Sequence, residues 1–280
     1  MARWNAGATS HNTVAIDRKG SHMLAYSVTG SGSALLLFHA FPLDRSLWGS
    51  VARPLAADDW CVITPDLPGF GESVETVGSI DEMAIAAAEL LDSLDIHSAV
   101  VGGCSMGGYV ALAFARLFPQ RTAGLVLVDT KANADGDEAR ANRERIAQQV
   151  ESAGSTDALA ATQPDAMYSD SSRADAALVR WLQSTIRAQR PAGVAAAQRA
   201  MATRQEQFET LSGLHVPVLC IRGAEDVVAT ADDHARMAES AHDALNVEVS
   251  GAGHLVPIER PTEFVAHVGA FLRSVRSPSC

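Results

Sequence analysis

The sequence predicts an α/β fold in which a mostly parallel β-sheet has helices on both faces and carries an all-helical insert. Short apolar runs of strand length alternate with longer stretches of helical spacing, which is the pattern of a parallel sheet covered on both sides. The runs are apolar at nearly every position, as in strands that are buried on both faces. The alternation stops between residues 131 and 208, where no strand-like run occurs.

Strands are predicted wherever a short, continuous apolar run is bounded by turn-forming residues. Six runs meet this description: residues 34–38, 61–64, 99–103, 125–128, 218–221 and 246–249. Two earlier stretches, residues 13–16 and 23–28, flank the turn-like residues 17–20 and predict an antiparallel hairpin that leads into the sheet.

The best-marked helix is predicted to begin after Ser79, because Ser79 followed by Glu82 forms a capping box. Its apolar positions share one face at helical spacing: Ile80, Met83, Ala87, Leu90, Leu91 and Leu94. A second helix is predicted over residues 106–118, since Pro119 cannot continue it.

Helices alone are predicted in the stretch without strands, which is rich in Ala, Arg, Gln and Glu. One helix is expected over residues 139–153 with Gly154 as its C-cap, and Pro191 is placed to open another. Between them an apolar stripe indicates a further helix: Leu178, Trp181, Leu182, Thr185 and Ile186.

The domain organisation follows from these stripes, which are too narrow to form a core of their own and need the main body to cover them. We therefore predict a helical cap at residues 131–208. The α/β core then consists of two parts, residues 1–130 and 209–280.

The composition disfavours several classes of function. The chain has 22 basic and 33 acidic side chains, hence a formal net charge of −11. This charge disfavours nucleic acids and anionic membranes as partners, because both are bound through clustered Lys and Arg. No apolar run approaches the ~20 residues that span a bilayer. The polar stretch from Met1 to Val14 has no signal-peptide h-region, and we expect a cytoplasmic protein.

Four cysteines lie far apart in the sequence without a C-x-x-C pair: Cys61, Cys104, Cys220 and Cys280. This spacing indicates neither a zinc site nor a disulfide framework. The first three lie in or beside apolar runs, so we expect them to be buried as small hydrophobic residues.

A G-x-S-x-G motif at residues 103–107 follows a predicted buried strand and precedes a predicted helix. This context is typical of a nucleophile elbow, a tight turn that lifts the serine hydroxyl to the carboxyl edge of the sheet. The positions that flank Ser105 must be small, since a Cβ there would strike the strand or the helix. The N–H of Met106 lies at the helix N-terminus, where it would stabilise a developing oxyanion. We predict Ser105 as the nucleophile and Met106 as an oxyanion donor.

A serine hydroxyl needs a base, and His254 is the candidate among nine histidines. It follows a predicted strand in a Gly-rich loop, which lets an imidazole reach over the edge of the sheet. Asp226 lies in the turn after another strand, where it would accept the imidazole Nδ1–H. Glu225 beside it and Asp129 at the end of a further strand are alternatives for the acid.

Two other loops follow strands of the predicted sheet. The sequence H-A-F-P at residues 39–42 places the N–H of Phe41 as a second oxyanion donor beside that of Met106. We expect His39 to make structural hydrogen bonds and not to act as a base. The Gly-rich loop at residues 66–73 lacks the G-x-x-x-x-G-K-[ST] phosphate-binding pattern, so we expect structural turns there.

Taken in order, these motifs resemble those of the α/β-hydrolase superfamily along almost the whole chain. The matching motifs are H-x-F-P, D-L-P-G-F-G-E-S, G-C-S-M-G-G, G-x-x-D and G-A-G-H. Within the superfamily, the chain is most similar to the small single-cap esterases and the 3-oxoadipate enol-lactonase group. The resemblance implies an α/β-hydrolase fold and cleavage of an ester, lactone, thioester or related bond without a metal or cofactor. Ala40 stands where the family usually has glycine.

We therefore predict a serine hydrolase that cleaves a small-molecule acyl substrate through an acyl-enzyme on Ser105. Serine instead of aspartate at the elbow argues against haloalkane dehalogenases and epoxide hydrolases. Acyl transfer or cyclisation, carbon–carbon bond hydrolysis, haloperoxidase activity and a binding module with little turnover are the alternatives. In the cap, Tyr168 and Trp181 are candidates to bind the substrate. The sequence leaves open whether the chain forms a homodimer.

Overall fold

The computed structural model describes residues 11–16 and 22–275, and within them eight strands form a single sheet. The strands are β1 (His11–Ile16), β2 (His22–Gly30), β3 (Ser33–Phe38), β4 (Trp60–Pro65), β5 (Ala99–Cys104), β6 (Thr122–Val128), β7 (Val218–Gly223) and β8 (Ala244–Val249). Their order is β1-β2-β4-β3-β5-β6-β7-β8; β2 runs antiparallel to both of its neighbours, and all the other pairs are parallel. The predicted α/β class with a mostly parallel sheet is confirmed.

Each strand extends beyond the apolar run that predicts it, because the hydrogen-bonded ladder continues through polar and glycine residues. For example, β6 begins at Thr122, and β7 continues through Arg222 to Gly223. All residues of β4, β5 and β7 are buried, as expected for strands covered on both faces. The pair β1–β2 is antiparallel as predicted, while the turn predicted at residues 17–20 lies outside the described residues.

The α-helices of the described residues are α1 (Ala52–Leu55), α2 (Ile80–Ser93), α3 (Met106–Leu117), α4 (Asp137–Ala153), α5 (Asp157–Met167), α6 (Asp170–Arg173), α7 (Ala176–Arg187), α8 (Pro191–Ala202), α9 (Phe208–Gly213), α10 (Ala231–Ser240), α11 (Val256–Glu259) and α12 (Pro261–Val275). The capping box at the start of α2 is confirmed. The Ser79 hydroxyl accepts the Glu82 N–H at 3.1 Å, and the Glu82 carboxylate accepts the Ser79 N–H at 3.1 Å. The helix α3 ends one residue before the predicted position.

Helices α4 to α8 lie between β6 and β7, in the stretch for which the sequence predicts only helices. Gly154 caps α4 in the left-handed conformation with φ 60°, and Pro191 opens α8, both as predicted. Within this helical insert, α4 packs against α8 and α5 packs against α7. The apolar stripe of α7 faces inward, with Leu182 and Ile186 fully buried.

The insert is seated on the loop at residues 66–73 through close backbone contact. Gly193 of α8 approaches Gly69 so closely that a Cβ on Gly193 would overlap the Gly69 carbonyl. Next to this contact, the N–H of Gly71 donates to Gln189 Oε1 at 2.9 Å, and Arg190 Nη1 donates to the carbonyl of Gly71 at 2.8 Å. Glycine at positions 69 and 193 therefore allows the backbones of the helix and the loop to be in direct contact.

Cys61, Cys104 and Cys220 are buried and unpaired, as predicted, and burial raises the pKa of the Cys61 and Cys220 thiols to about 12. Cys280 lies outside the described residues. None of the helices in the described part of the chain combines the length and the apolar character that a membrane crossing requires.

Candidate active site

Ser105 lies between β5 and α3 in a strained turn, with φ 54° and ψ −113°. A positive φ is uncommon for residues other than glycine, and it is typical of a serine at a nucleophile elbow. The expectation that the flanking positions must be small is confirmed. A Cβ on Gly103 would overlap the backbone of Gly107, and a Cβ on Gly107 would overlap the carbonyl of Phe38. The elbow therefore needs glycine on both sides of the serine.

Gly107→Ala is expected to lower the free energy of unfolding by about 1–3 kcal/mol, because a new Cβ must push the backbone of β3 away from α3. Gly213→Ala is the matched control, since a Cβ on Gly213, at the end of α9, meets no atom within 4 Å. Urea unfolding of both variants measures the difference. Equal stability of the two variants would contradict the tight packing of the elbow.

The structure brings Ser105, His254 and Asp226 together in one hydrogen-bonded chain. His254 Nε2 lies 2.8 Å from Ser105 Oγ, and His254 Nδ1 lies 2.8 Å from Asp226 Oδ2. The other carboxylate oxygen of Asp226 accepts the N–H groups of Val228 at 2.7 Å and Ala229 at 3.0 Å. The side chains of His254 and Asp226 are both buried, so the hydrogen bond between them is shielded from water.

The charges around His254 stabilise its protonated form. Burial on its own would lower the pKa of His254, but the charge and hydrogen bond of Asp226, together with the charge of Asp129, raise that pKa above its ordinary value; Lys131 acts in the opposite direction. Burial would likewise raise the pKa of Asp226, but the charge of His254 and the hydrogen bonds to the carboxylate hold it below its ordinary value. The pair therefore favours an ionised carboxylate beside a readily protonated imidazole.

Neither alternative acid forms a hydrogen bond with the imidazole. The carboxyl group of Asp129 accepts the N–H of Gly223 at 2.9 Å and the N–H of Val256 at 3.0 Å, so it links the turn that carries Asp226 to the loop that carries His254. Burial, and after it the charge of Asp226, raises the pKa of Asp129 to about 8. Glu225 is exposed, and its carboxylate accepts the N–H of Asp170 in the insert at 3.0 Å.

The amides of Phe41 and Met106 are the two predicted oxyanion donors. In the described part of the chain, no acceptor forms a hydrogen bond with either N–H group. The assignment of these two amides stays a prediction. His39 is buried and makes structural hydrogen bonds, as expected: Nδ1 bonds to the Ala40 carbonyl at 3.0 Å, and Nε2 accepts the Leu67 N–H at 2.9 Å.

The two cap residues predicted to bind substrate lie in the helical insert. Tyr168 is buried between α5 and α6, and its hydroxyl donates to the carbonyl of Leu178 at 3.1 Å. Trp181 is half-buried on α7 and packs against the hydrophobic core. The hydroxyl of Tyr168 is thus engaged within the insert, and substrate binding by these two residues stays a prediction.

Sequence reasoning misses Glu259, although its buried carboxylate contacts the backbone on both sides of His254. It lies five residues after His254, directly after the apolar residues 255–258. An acidic residue beside such a run is the one available signal, because a carboxylate there needs a polar partner. Residues 11–16 and 22–275 contain no group of three or more His, Cys, Asp or Glu side chains placed to hold a metal ion.

Comparison with known proteins shows similarity over nearly the whole chain. A solved thermophilic esterase from Thermogutta terrifontis, with malate bound, superposes with a TM-score of 0.89 at 35% identity, covering 96% of this chain and 100% of that chain. The dihydrolipoyllysine-residue acetyltransferase component of the acetoin cleaving system of Pseudomonas putida is 32% identical over 91% of this chain and 68% of its own length. The 3-oxoadipate enol-lactonase 1 of Acinetobacter baylyi is 29% identical over 95% of this chain and 98% of its own length.

The family model described as alpha/beta hydrolase fold matches residues 33–261. This range includes the elbow, the turn that carries Asp226, the loop that carries His254 and the helical insert. The predicted resemblance is therefore confirmed. By this match and by the geometry around Ser105, the chain belongs to the alpha/beta hydrolase family.

Proposed function

We propose that this chain is a serine hydrolase that cleaves a carboxylic ester, lactone or thioester through an acyl-enzyme on Ser105. The observation that carries this proposal is the pair of 2.8 Å contacts that join Ser105 to His254 and His254 to Asp226. Such a chain supplies a nucleophile, its base and the group that orients the base. The similarity to an esterase and to an enol-lactonase supports ester and lactone bonds as the target.

In the proposed mechanism, Ser105 Oγ attacks the carbonyl carbon while its proton passes to His254 Nε2. The tetrahedral oxyanion is held by the N–H groups of Phe41 and Met106, and each such donor contributes about 3–4 kcal/mol to the transition state. His254 then protonates the departing alcohol, enol or thiol, and the acyl group stays on the serine. A water molecule then gives a proton to His254 and attacks the acyl carbon. The acid leaves as His254 returns this proton to Ser105 Oγ.

We further propose that residues 131–208 act as a cap over this site. The insert contacts loops on two sides of the elbow: the carbonyl of Met167 accepts the N–H of His254 at 2.8 Å, and Gln189 and Arg190 bond to Gly71 at 2.9 and 2.8 Å. A segment held in this way is placed to exclude water and to shape the acyl pocket.

A fluorophosphonate probe tests the proposal. We expect intact-protein mass spectrometry to show one adduct on the wild type and none on Ser105→Ala. Absence of labelling in the folded wild type would indicate a binding module with little turnover. Incubation of a labile ester with added alcohols and amines separates hydrolysis from acyl transfer, since a hydrolase releases acid and an acyltransferase releases the new ester or amide.

The pH dependence of kcat/KM should report His254, which acts as a base only when it is neutral. Because the pKa of His254 is raised, activity should fall as the pH drops through a midpoint above the ordinary histidine value of about 6.5. Lys131→Met should move this midpoint to higher pH, since the Lys131 charge lowers the pKa.

Arg180→Met is the control for that shift, because Arg180 is an exposed cation on α7. We expect its midpoint to equal that of the wild type in an ester-hydrolysis assay between pH 5 and 9. A wild-type midpoint below the ordinary value, or a downward shift in Lys131→Met, would contradict the electrostatic assignment.

A further inference from the structure

Glu259 is a buried carboxylate that the proposed mechanism does not use. Its Oε1 accepts the N–H groups of Gly253 at 2.8 Å and Leu255 at 3.2 Å, which are the two neighbours of His254. Its Oε2 accepts the N–H of Ser169 at 2.8 Å. Within the described ranges, the hydrogen-bond partners of the carboxylate are these three backbone amides, and the Arg260 side chain donates to the main-chain carbonyl of Glu259 at 2.7 Å. The three hydrogen bonds offset the cost of burying a charge.

Ser169 lies between α5 and α6, so Glu259 joins the helical insert to the loop that carries His254. The N–H of His254 itself donates to the carbonyl of Met167 at 2.8 Å, at the same junction. Gly253 packs so tightly there that a Cβ on it would lie 2.6 Å from the Ser169 nitrogen. The backbone on both sides of the imidazole is thereby fastened to the insert.

We propose that Glu259 is a positioning residue that couples the position of the helical insert to the orientation of the His254 imidazole. The ring must direct Nε2 at Ser105 and Nδ1 at Asp226 at the same time. A misplacement of about 1 Å is enough to lower a rate about 100-fold. The consequence for turnover rests on the proposed function, whereas the consequence for the imidazole can be measured without turnover.

Glu259→Gln tests the kinetic consequence. An amide has one acceptor oxygen, so its NH₂ group must face at least one of the three backbone donors. We expect kcat to fall about 10- to 100-fold, with KM nearly unchanged because no substrate contact is removed. Glu263→Gln is the control: it makes the same substitution at an exposed carboxylate on α12 and should keep the wild-type kcat.

The imidazole itself can be followed by proton NMR. The Nδ1 proton that His254 shares with Asp226 gives a low-field resonance, assigned by its loss in His254→Ala. We expect this resonance in the wild type and in Glu263→Gln, and a broadened or absent signal in Glu259→Gln. An unchanged resonance and kcat in folded Glu259→Gln would overturn the proposal, even if the unfolding temperature falls. A wild type with the resonance but no ester hydrolysis would instead contradict the proposed function.

The coupling to the insert is tested from its other side. Ser169 has φ −61°, a value that proline shares, so Ser169→Pro removes the N–H and keeps this φ. Ser169→Ala keeps the N–H and reports the loss of the hydroxyl, which caps α6 and bonds to the hydroxyls of Ser171 and Ser172. Relative to Ser169→Ala, we expect Ser169→Pro to lower kcat strongly when Glu259 is present and far less in Glu259→Ala. Additive losses would overturn the coupling. Equal kcat values and equal low-field resonances in Ser169→Pro and Ser169→Ala would overturn it as well, and this comparison leaves Glu259 unchanged.

Discussion

Ser105→Ala and His254→Ala are each expected to reduce the turnover of a small activated ester by about 10⁶-fold and to leave the fold intact. In the proposed mechanism the two side chains act as one unit across their 2.8 Å contact, because the hydroxyl is a weak nucleophile until the imidazole removes its proton. The double variant should therefore be hardly slower than either single variant. Steady-state kinetics with purified protein, checked by circular dichroism, measures this effect.

Matched controls are available on the surface of the chain. Ser212→Ala on α9 and His267→Ala on α12 change exposed residues of the same two types and should keep wild-type kcat and KM. If Ser105→Ala retains comparable activity while a fluorophosphonate shows that no contaminating esterase is present, Ser105 is not the nucleophile. If only the double variant is inactive, the two residues do not act as a unit.

Asp226→Asn is expected to lower kcat by about 10⁴-fold, because the wrong imidazole tautomer is stabilised. The hydrogen bonds from Val228 and Ala229 fix the direction of the new amide, since its oxygen must stay with these two N–H donors. The NH₂ group then faces Nδ1 and donates a hydrogen bond to it. Because Nδ1 must accept this bond, the imidazole carries its proton on Nε2. An Nε2–H cannot take the proton of Ser105.

Asp129→Asn is the matched control for this change, since it removes a second buried carboxylate in the same neighbourhood. The new amide would lose one of the bonds to Gly223 and Val256, but Asp129 forms no hydrogen bond with the imidazole, so the substitution should cost far less in kcat. Both variants are compared on one substrate at one pH. If Asp129→Asn is the crippled variant and Asp226→Asn is close to wild type, the acid is Asp129.

The fold was predictable because its central strands are buried on both faces and are therefore apolar throughout. The strand ends were not predictable, because backbone hydrogen bonds between strands do not depend on the side chain. The pairing therefore continues beyond the apolar run, at residues such as Arg222. The elbow, acid and base follow strands in an order that the sequence displays, which is why Ser105, Asp226 and His254 could be singled out. Their catalytic roles stay predictions.

What the sequence could not predict is how the loops meet. Asp129 and Asp226 both follow buried strands, and only the folded chain shows that one carboxylate contacts the imidazole while the other contacts two backbone amides. Glu259 is harder still, because one of its three partners, Ser169, lies 90 residues away in the sequence. Likewise, periodicity predicts the helices of the insert but not the contact between Gly69 and Gly193.

The hydrogen bonds between the helical insert and the region around His254 have a consequence for how new specificities can arise. The bonds that the insert makes to His254, Glu259 and Glu225 all use its main-chain atoms, namely the carbonyl of Met167 and the N–H groups of Ser169 and Asp170. Main-chain atoms survive almost any substitution. The side chains of the insert can thus diverge, or be randomised in a library, while the imidazole stays in register with the serine. With the insert as the proposed cap, such a design separates the part of the molecule proposed to select a substrate from the part proposed to transform it.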